Sequence, residues 1–98
     1  MKNWHVYMIH CSDGSLYTGI TTDVQRRYKQ HAMQQGAKYF RGRKPKQLVY
    51  HENGHDRSSA SKREFAVKKL LRTEKIKLID SILNQIERTE DILVSIKE

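Results

Sequence analysis

Cysteine and proline are scarce in this chain, which has one of each among 98 residues. A single cysteine excludes an internal disulfide, and because Cys11 lies in an apolar run we expect a buried thiol in a reducing cytoplasm. The five histidines occur without any Cys-x-x-Cys pair, which argues against a zinc site. His51 and His55 have a spacing that matters only on a helix, and their segment does not predict one.

Long apolar stretches are also missing. No run is long enough to cross a bilayer, and the N-terminal residues lack the apolar core of a signal peptide. The sequence therefore predicts a soluble, cytoplasmic protein with no membrane partner. A chain of 98 residues is expected to form a single domain with one modest core.

Acidic residues are few relative to basic ones. The chain has 19 Lys and Arg against 11 Asp and Glu, which gives a net charge of +8 and a pI near 9.8. A small domain this basic favours a polyanionic partner, above all nucleic acid. The alternative is a solubilising surface charge that serves no partner.

The N-terminal third predicts a β-hairpin. A mostly apolar run, Trp4–Cys11, and a second run, Ser15–Ile20, flank a turn in which Asp13-Gly14 supplies a residue that tolerates positive φ. Tyr7 and Tyr17 lie one on each run. They share a face of the sheet if the hairpin register allows it.

A helix is predicted directly after the hairpin. The segment Thr22-Asp23-Val24-Gln25 fits a capping box with its first residue as the N-cap, and the helix should run to about Gln35 with Gly36 as its stop. Arg27 and His31 are i,i+4 neighbours, so they project from the same side of this helix, one turn apart.

The remaining sequence completes an α+β pattern. Residues 37–46 are irregular, and a third strand is predicted over Gln47–His51, closed by Asn53-Gly54. A helix should follow from about Ser58 to Leu71. We therefore expect a small mixed or antiparallel three-stranded sheet flanked by helices, in the order ββαβαα.

The C-terminal part contains a helical apolar stripe. Its members are Ile76, Ile79, Leu83 and Ile86. The stripe is expected to be core, which favours a monomer; a dimer seam is the alternative. We divide the chain into a domain over residues 1–85 and a C-terminal helical extension or tail over residues 86–98.

The series of motifs resembles the GIY-YIG nuclease superfamily. The first signature is similar to Val6-Tyr7-Met8, and the second to Tyr17-Thr18-Gly19. The segment Asp23–His31 looks like the arginine-bearing helix of that family, and Ser61–Glu64 like the start of its glutamate-bearing helix. The resemblance covers about residues 3–75 and is greatest to the small stand-alone bacterial members.

The resemblance implies a phosphodiester-cleaving site with Tyr7, Tyr17, Arg27 and His31 as catalytic residues. Tyr17 is similar in position to the tyrosine that helps to activate the nucleophile, while Tyr7 would position water or phosphate. Arg27 can offer a planar fork to phosphate oxygens as charge develops. His31 would take a proton or orient the phenol or water.

Three further residues complete the implied site. Gly19 would allow close approach of the backbone, with Thr18 in support. Glu64 would hold one Mg²⁺ or Mn²⁺ ion. Without the resemblance, Glu64 could instead close a capping box with Ser61 or pair with Lys68. Many nucleases of this type also have a late asparagine, and Asn84 has no matching context here.

A basic loop follows the arginine-bearing helix and is a candidate nucleic-acid contact. Its cations are Lys38, Arg41, Arg43, Lys44 and Lys46, with Tyr39 and Phe40 among them. Cations neutralise backbone phosphates and an aromatic ring can stack an unpaired base, whereas the alternative is a mobile, solvated loop. A second basic surface comprises Lys62, Arg63, Lys68, Lys69 and Arg72.

Together these features predict a metal-dependent endonuclease that hydrolyses DNA, including branched or flapped DNA, with DNA favoured over RNA. The alternative is a nucleic-acid-binding protein that keeps the fold but has little or no catalytic activity.

Overall fold

The computed structural model describes residues 2–34, 37–81 and 83–86, and within them the predicted α+β order ββαβαα is confirmed. A short 3-10 helix, Lys38–Phe40, precedes the third strand. The strands form one antiparallel sheet in the order β2-β1-β3. The strands and helices are β1 Trp4–Cys11, β2 Leu16–Thr21, α1 Val24–Ala32, β3 Pro45–His55, α2 Arg57–Lys68 and α3 Arg72–Ile79.

The hairpin turn sets the register that the site needs. Gly14 adopts a φ of 86°, and the Asp13 carboxylate accepts a hydrogen bond from the Ser15 amide at 3.0 Å. Across the hairpin Tyr7 is opposite Gly19, while Tyr17 is opposite Ile9. Because residues i and i+2 of a strand share a face, this register places Tyr7 and Tyr17 on the same side of the sheet.

Helices cover both faces of the sheet. Tyr7, Ile9 and Cys11 pack with Phe40 on the face that α1 covers, so Cys11 is the buried thiol expected from sequence. The opposite face packs under α2 and α3, with Met8 at its centre. The strand order leaves β2 at a sheet edge, where the two helical layers come together.

The first helix differs from its prediction at both ends. Its N-cap is Asp23 and not the predicted Thr22: the Asp23 carboxylate accepts a hydrogen bond from the Arg26 amide at 3.0 Å. The Asp23 amide in turn donates to the hydroxyl of Thr21, the last residue of β2. The helix ends at Ala32, and Gln34 has a left-handed φ of 59°. The predicted end at Gln35 is therefore wrong, and Gly36 lies outside the described residues.

The third strand is longer than predicted and continues through Asn53-Gly54. Gly54 has a φ of 85°, so it bends the strand without ending it. The predicted helix from Ser58 to Leu71 occupies Arg57–Lys68, with Asp56 as its N-cap.

The C-terminal stripe is only partly helical. Helix α3 ends at Ile79, which is buried in the core with Ile76 packed against it, whereas Leu83 is exposed. The prediction of one helix from Ile76 to Ile86 is therefore wrong. The tail predicted over residues 86–98 lies outside the described residues except for residue 86. No helix in the described ranges has the length and apolar character to cross a membrane.

Candidate active site

The buried centre of the site is a hydrogen bond between Tyr7 and His31. Tyr7 Oη and His31 Nε2 are 2.8 Å apart, and both side chains are fully buried between the sheet and α1. Phe40 packs on the imidazole with ring centroids 4.2 Å apart. His31 is therefore part of the core and does not belong to a solvated helix face.

A hydrogen bond to the second imidazole nitrogen determines the tautomer of His31. The Ala37 amide donates a hydrogen bond to His31 Nδ1 at 3.4 Å, so Nδ1 carries the lone pair and the proton lies on Nε2. Nε2–H then donates to Tyr7 Oη, which leaves the phenolic hydrogen of Tyr7 available for another acceptor. Burial, followed by the nearby charge of Arg27, lowers the pKa of His31 to about 4, so the ring is neutral at pH 7.

Tyr17 is the more accessible of the two tyrosines. Its ring is half-buried, 6.2 Å from the Tyr7 centroid and 5.3 Å from that of His31. Burial raises the pKa of Tyr17; the charge of Arg27 lowers it, that of Glu64 raises it, and the Tyr7 hydroxyl lowers it. The charges of a cation on α1 and a carboxylate on α2 therefore act on Tyr17 in opposite directions.

Arg27 approaches the pair of tyrosines from α1. Burial and the neighbouring Tyr17 raise the pKa of Tyr7, whereas the Arg27 guanidinium acts in the opposite direction. Arg27 also donates a hydrogen bond from Nη1 to Gln30 Oε1 at 3.0 Å, which fixes its side chain along the helix.

Gly19 leaves room for the Tyr7 side chain. A Cβ atom at position 19 would lie 2.5 Å from Tyr7 Oη and 3.1 Å from Tyr17 Cε2. The first distance is too short for a Cβ atom and the second is tight, so a side chain at position 19 would force Tyr7 to move. Thr18 points to the opposite face beside Met8, and its buried Oγ1 has no hydrogen-bond partner in the described ranges.

Glu64 is the carboxylate implied to bind a metal ion. Lys68 Nζ lies 3.3 Å from Glu64 Oε2, and the Glu64 side chain is 24% exposed. The described residues include no group of three or more His, Cys, Asp and Glu side chains that could hold a metal. A lone, accessible carboxylate suits Mg²⁺, which retains waters and shares substrate phosphate oxygens, but it does not suit zinc.

A network next to Glu64 fixes the position of helix α2. Arg63 Nε donates to both carboxylate oxygens of Glu52 at 3.2 Å, and Tyr50 Oη and His55 Nε2 donate to the same carboxylate at 2.5 and 2.6 Å. Burial opposes the charge on Glu52, yet these bonds hold its pKa below the usual value. The network joins β3 to α2 one residue before Glu64.

Part of the predicted basic loop is held by contacts within the protein. Arg43 lies over the Tyr39 ring at 4.2 Å and donates to the Asp13 carboxylate at 2.5 Å, so Arg43 is held by the protein itself. Tyr39 is half-buried with its ring centroid 5.0 Å from that of Tyr17. Phe40 is fully buried, so of these two rings Tyr39 is the one that a base could contact. The exposed cations of this segment are Lys38, Arg41, Lys44 and Lys46.

The second basic surface and Asn84 have local structural partners. Lys69 lies over the Phe65 ring at 4.1 Å, and Arg72 Nη1 donates to the Gly14 carbonyl at 2.8 Å. Asn84 Nδ2 donates to the carbonyls of Val49 and Ile79, each at 2.9 Å. Asn84 therefore connects β3 to the end of α3 and lies outside the site.

One pocket beside the site was not foreseen from sequence. Its volume is about 340 Å³, and its lining residues are Leu16, Tyr17, Thr18, Tyr39, Lys68 and Lys75. Of these residues, the sequence singles out Tyr39 as an aromatic ring of the basic loop. No sequence pattern links Lys75 to Tyr17, because α3 and β2 bring them to one pocket only in the folded protein.

The fold and the site belong to a small α+β domain. A family model described as the GIY-YIG catalytic domain matches residues 3–77. Two similar relatives are UPF0213 proteins. The one from Desulfotalea psychrophila is 52% identical over 77 residues, which cover 78% of this chain and 70% of the relative. The one from Halobacterium salinarum is 52% identical over 71 residues, 72% of this chain and 92% of the relative.

A solved structure is similar as well. The solution NMR structure of a UPF0213 protein from Bacillus halodurans is 43% identical, with a TM-score of 0.55, and the match covers 91% of this chain and 95% of that one. The chain belongs to the GIY-YIG nuclease family, as its motifs predicted.

Proposed function

We propose that this protein is a metal-dependent endonuclease that hydrolyses phosphodiester bonds in DNA, including branched or flapped DNA. The observation that supports this most is the environment of Tyr17. Its accessible phenol lies next to the Tyr7–His31 pair, and the Arg27 cation and the Glu64 carboxylate both act on its pKa. A phosphodiester hydrolase needs three functions together: a base that takes a proton from the attacking water, a cation that stabilises charge on the phosphate, and a ligand that holds the metal ion.

Tyr17 is assigned the role of the base that activates the attacking water. Burial raises its pKa, so the phenol is the resting form at neutral pH, and the Arg27 charge shifts that pKa toward the value that a base requires. Tyr17 first loses its own proton to solvent, and the resulting phenolate accepts the water proton as the water oxygen forms its bond to phosphorus and the bond to the leaving oxygen breaks. Tyr7 would orient the same water or a phosphate oxygen with its remaining hydrogen.

His31 is assigned a supporting role through Tyr7. With its proton on Nε2, it donates to Tyr7 and fixes the direction of the Tyr7 hydroxyl. Arg27 is assigned to the nonbridging phosphate oxygens, where its planar fork would stabilise the charge that develops.

Glu64 would hold the metal ion. When bound, Mg²⁺ would polarise the phosphate and stabilise the negative charge on the leaving oxygen. Lys68 competes for the same carboxylate through its ion pair.

A second candidate function is nucleic-acid binding with little or no cleavage. The Lys68–Glu64 ion pair favours it, because an ammonium that stays on Glu64 would exclude the metal. The net charge of +8 would still support binding to nucleic acid.

Cleavage of single-stranded, duplex and flapped DNA with Mg²⁺ or Mn²⁺ separates the two functions. Wild type should cut only with metal, and Arg27→Ala and Glu64→Ala should each lower the rate by about 100-fold or more. Arg26→Ala and Asp80→Asn are matched controls because both side chains are exposed, and they should retain activity.

Metal-dependent cleavage that survives both site substitutions would refute the assignment of the site. Salt-sensitive binding by a wild type that cuts none of the substrates would favour the second function.

A further inference from the structure

The pocket at the β2 edge has a composition that the proposed reaction does not use. Of its lining residues only Tyr17 belongs to the catalytic assignment. Lys68 and Lys75 bring two ammonium groups, Tyr39 brings its ring, and Leu16 and Thr18 complete the lining. A volume of about 340 Å³ is at the lower end for small-molecule sites, so it admits one nucleotide and not a duplex.

Lys75 is the cation in this pocket that remains available. Lys68 is paired with Glu64, whereas Lys75 has no ion pair among residues 2–34, 37–81 and 83–86. Lys75 is also half-buried on α3. An ammonium without an ion pair in the described part of the chain favours an anionic ligand, and a phosphate provides one.

Tyr39 is held in place by contacts outside the pocket. The Arg43 guanidinium lies 4.2 Å from the Tyr39 ring centroid and also donates to the Tyr39 carbonyl at 3.3 Å. The ion pair with Asp13 anchors Arg43 to the hairpin turn. Because the ring is fixed before any ligand arrives, a base that packs against it does not have to order it.

Helix α3, which carries Lys75 on the other side of the pocket, is also attached to the hairpin turn. Arg72, the first residue of α3, donates to the Gly14 carbonyl at 2.8 Å and so fixes the helix that carries Lys75. Thr18, with its buried and unpartnered hydroxyl, lines the same pocket. The hairpin turn therefore fixes both the aromatic and the cationic side of the pocket.

We propose that this pocket is a subsite for one unpaired nucleotide, with its base against Tyr39 and its phosphate at Lys75, next to the phosphate that is cleaved at Tyr17. The proposal deepens the proposed nuclease function and rests on it for the identity of the neighbouring phosphate. The preferred substrate is then a strand that is unpaired at the cleavage position, such as a flap or a single strand.

Binding measured in EDTA tests the subsite without any cleavage. The probes are a labelled oligothymidylate strand and a labelled blunt duplex, each titrated with wild type, Tyr39→Leu, Tyr39→Phe, Lys75→Gln and Lys77→Gln. Tyr39→Leu should weaken single-strand binding by about 10-fold and leave duplex binding unchanged, while Tyr39→Phe, which keeps the ring, should stay within about twofold. Melting curves of the two Tyr39 variants check that both fold.

The salt dependence tests Lys75. For the single strand, Lys75→Gln should reduce the slope of log K against log salt by about 0.7, the value for one phosphate contact. Lys77 is exposed on the same helix outside the pocket, so Lys77→Gln should leave the slope unchanged.

The subsite is refuted if Tyr39→Leu weakens both probes equally, if it weakens neither, or if Lys75→Gln and Lys77→Gln give the same slope. Failure of the nuclease function would be seen separately, as absence of metal-dependent cleavage by a wild type that still shows these binding differences.

Discussion

His31 donates its Nε2–H to the Tyr7 hydroxyl at 2.8 Å, because the Ala37 amide occupies the other imidazole nitrogen. Through this bond the buried His31 ring fixes the position of the Tyr7 hydroxyl. It also separates the two tyrosines by role, since Tyr7 is fixed in the core while Tyr17 remains accessible.

The buried imidazole should affect stability at mildly acidic pH. The folded pKa of His31, about 4, lies below its ordinary value of 6.5, so between these values the unfolded chain binds more protons. His31 therefore destabilises the fold progressively as pH falls from 6.5 toward 4, by up to about 3 kcal/mol. Urea unfolding at a series of pH values should give a flatter dependence for His31→Gln than for wild type. Parallel dependences for the two proteins would contradict the buried neutral imidazole.

Gly19 should not tolerate alanine. The added Cβ would contact Tyr7 Oη, so Gly19→Ala should displace the phenol, cost about 1–3 kcal/mol in the free energy of unfolding and lower any nuclease activity at least tenfold. Gly14→Ala is the matched control: nothing lies within 4 Å of its Cβ, although its φ of 86° is strained for alanine. It should lose about 1 kcal/mol of stability and keep its activity. Equal activities of the two variants would show that the close approach at Gly19 is irrelevant.

Lys68 should weaken metal binding at Glu64. Removing its ammonium in Lys68→Gln frees the carboxylate, so the Kd for Mn²⁺ measured by calorimetry without DNA should fall about two- to fivefold, as expected for a partly exposed ion pair. Lys69→Gln removes a neighbouring charge that lies over Phe65 and serves as the control. An unchanged or higher Kd in Lys68→Gln would argue against Glu64 as the ligand.

Glu52 should be essential for the attachment of α2. Glu52→Gln leaves Arg63 without its counter-charge in a site where the Glu52 side chain is only 13% exposed, so we expect a loss of about 2–4 kcal/mol in the free energy of unfolding. Asp80→Asn, at an exposed helix end, should cost less than about 0.5 kcal/mol. Denaturant titration of both variants measures the difference, and equal stabilities would mean that the network contributes little.

Much of the site follows from local rules that a sequence displays. Strand alternation and a short turn allow Tyr7 and Tyr17 to share one face, which the observed register realises, and i,i+4 spacing places Arg27 and His31 on one side of α1. The number and order of the strands and helices follow from the same periodicities, so ββαβαα was predictable.

The remaining features depend on contacts between distant segments. The effect of the Glu64 charge on Tyr17 depends on the packing of α2 against β2, and no spacing in the sequence specifies that packing. The end of α3 at Ile79 is another example, since an apolar stripe continues past it while Asn84 binds the Val49 and Ile79 carbonyls in place of a further helical turn. Such competition between local pattern and tertiary hydrogen bonds cannot be resolved from periodicity alone.

The most direct measurement of the central claim is the single-turnover rate of Mg²⁺-dependent cleavage of a flapped DNA by Tyr17→Phe. Loss of the Tyr17 hydroxyl should lower the rate by about 100-fold or more relative to wild type. Tyr28→Phe, which removes a hydroxyl from another half-buried tyrosine, on α1, should cut at the wild-type rate. A Tyr17→Phe protein that cuts as fast as wild type would contradict the assignment of Tyr17 to the reaction.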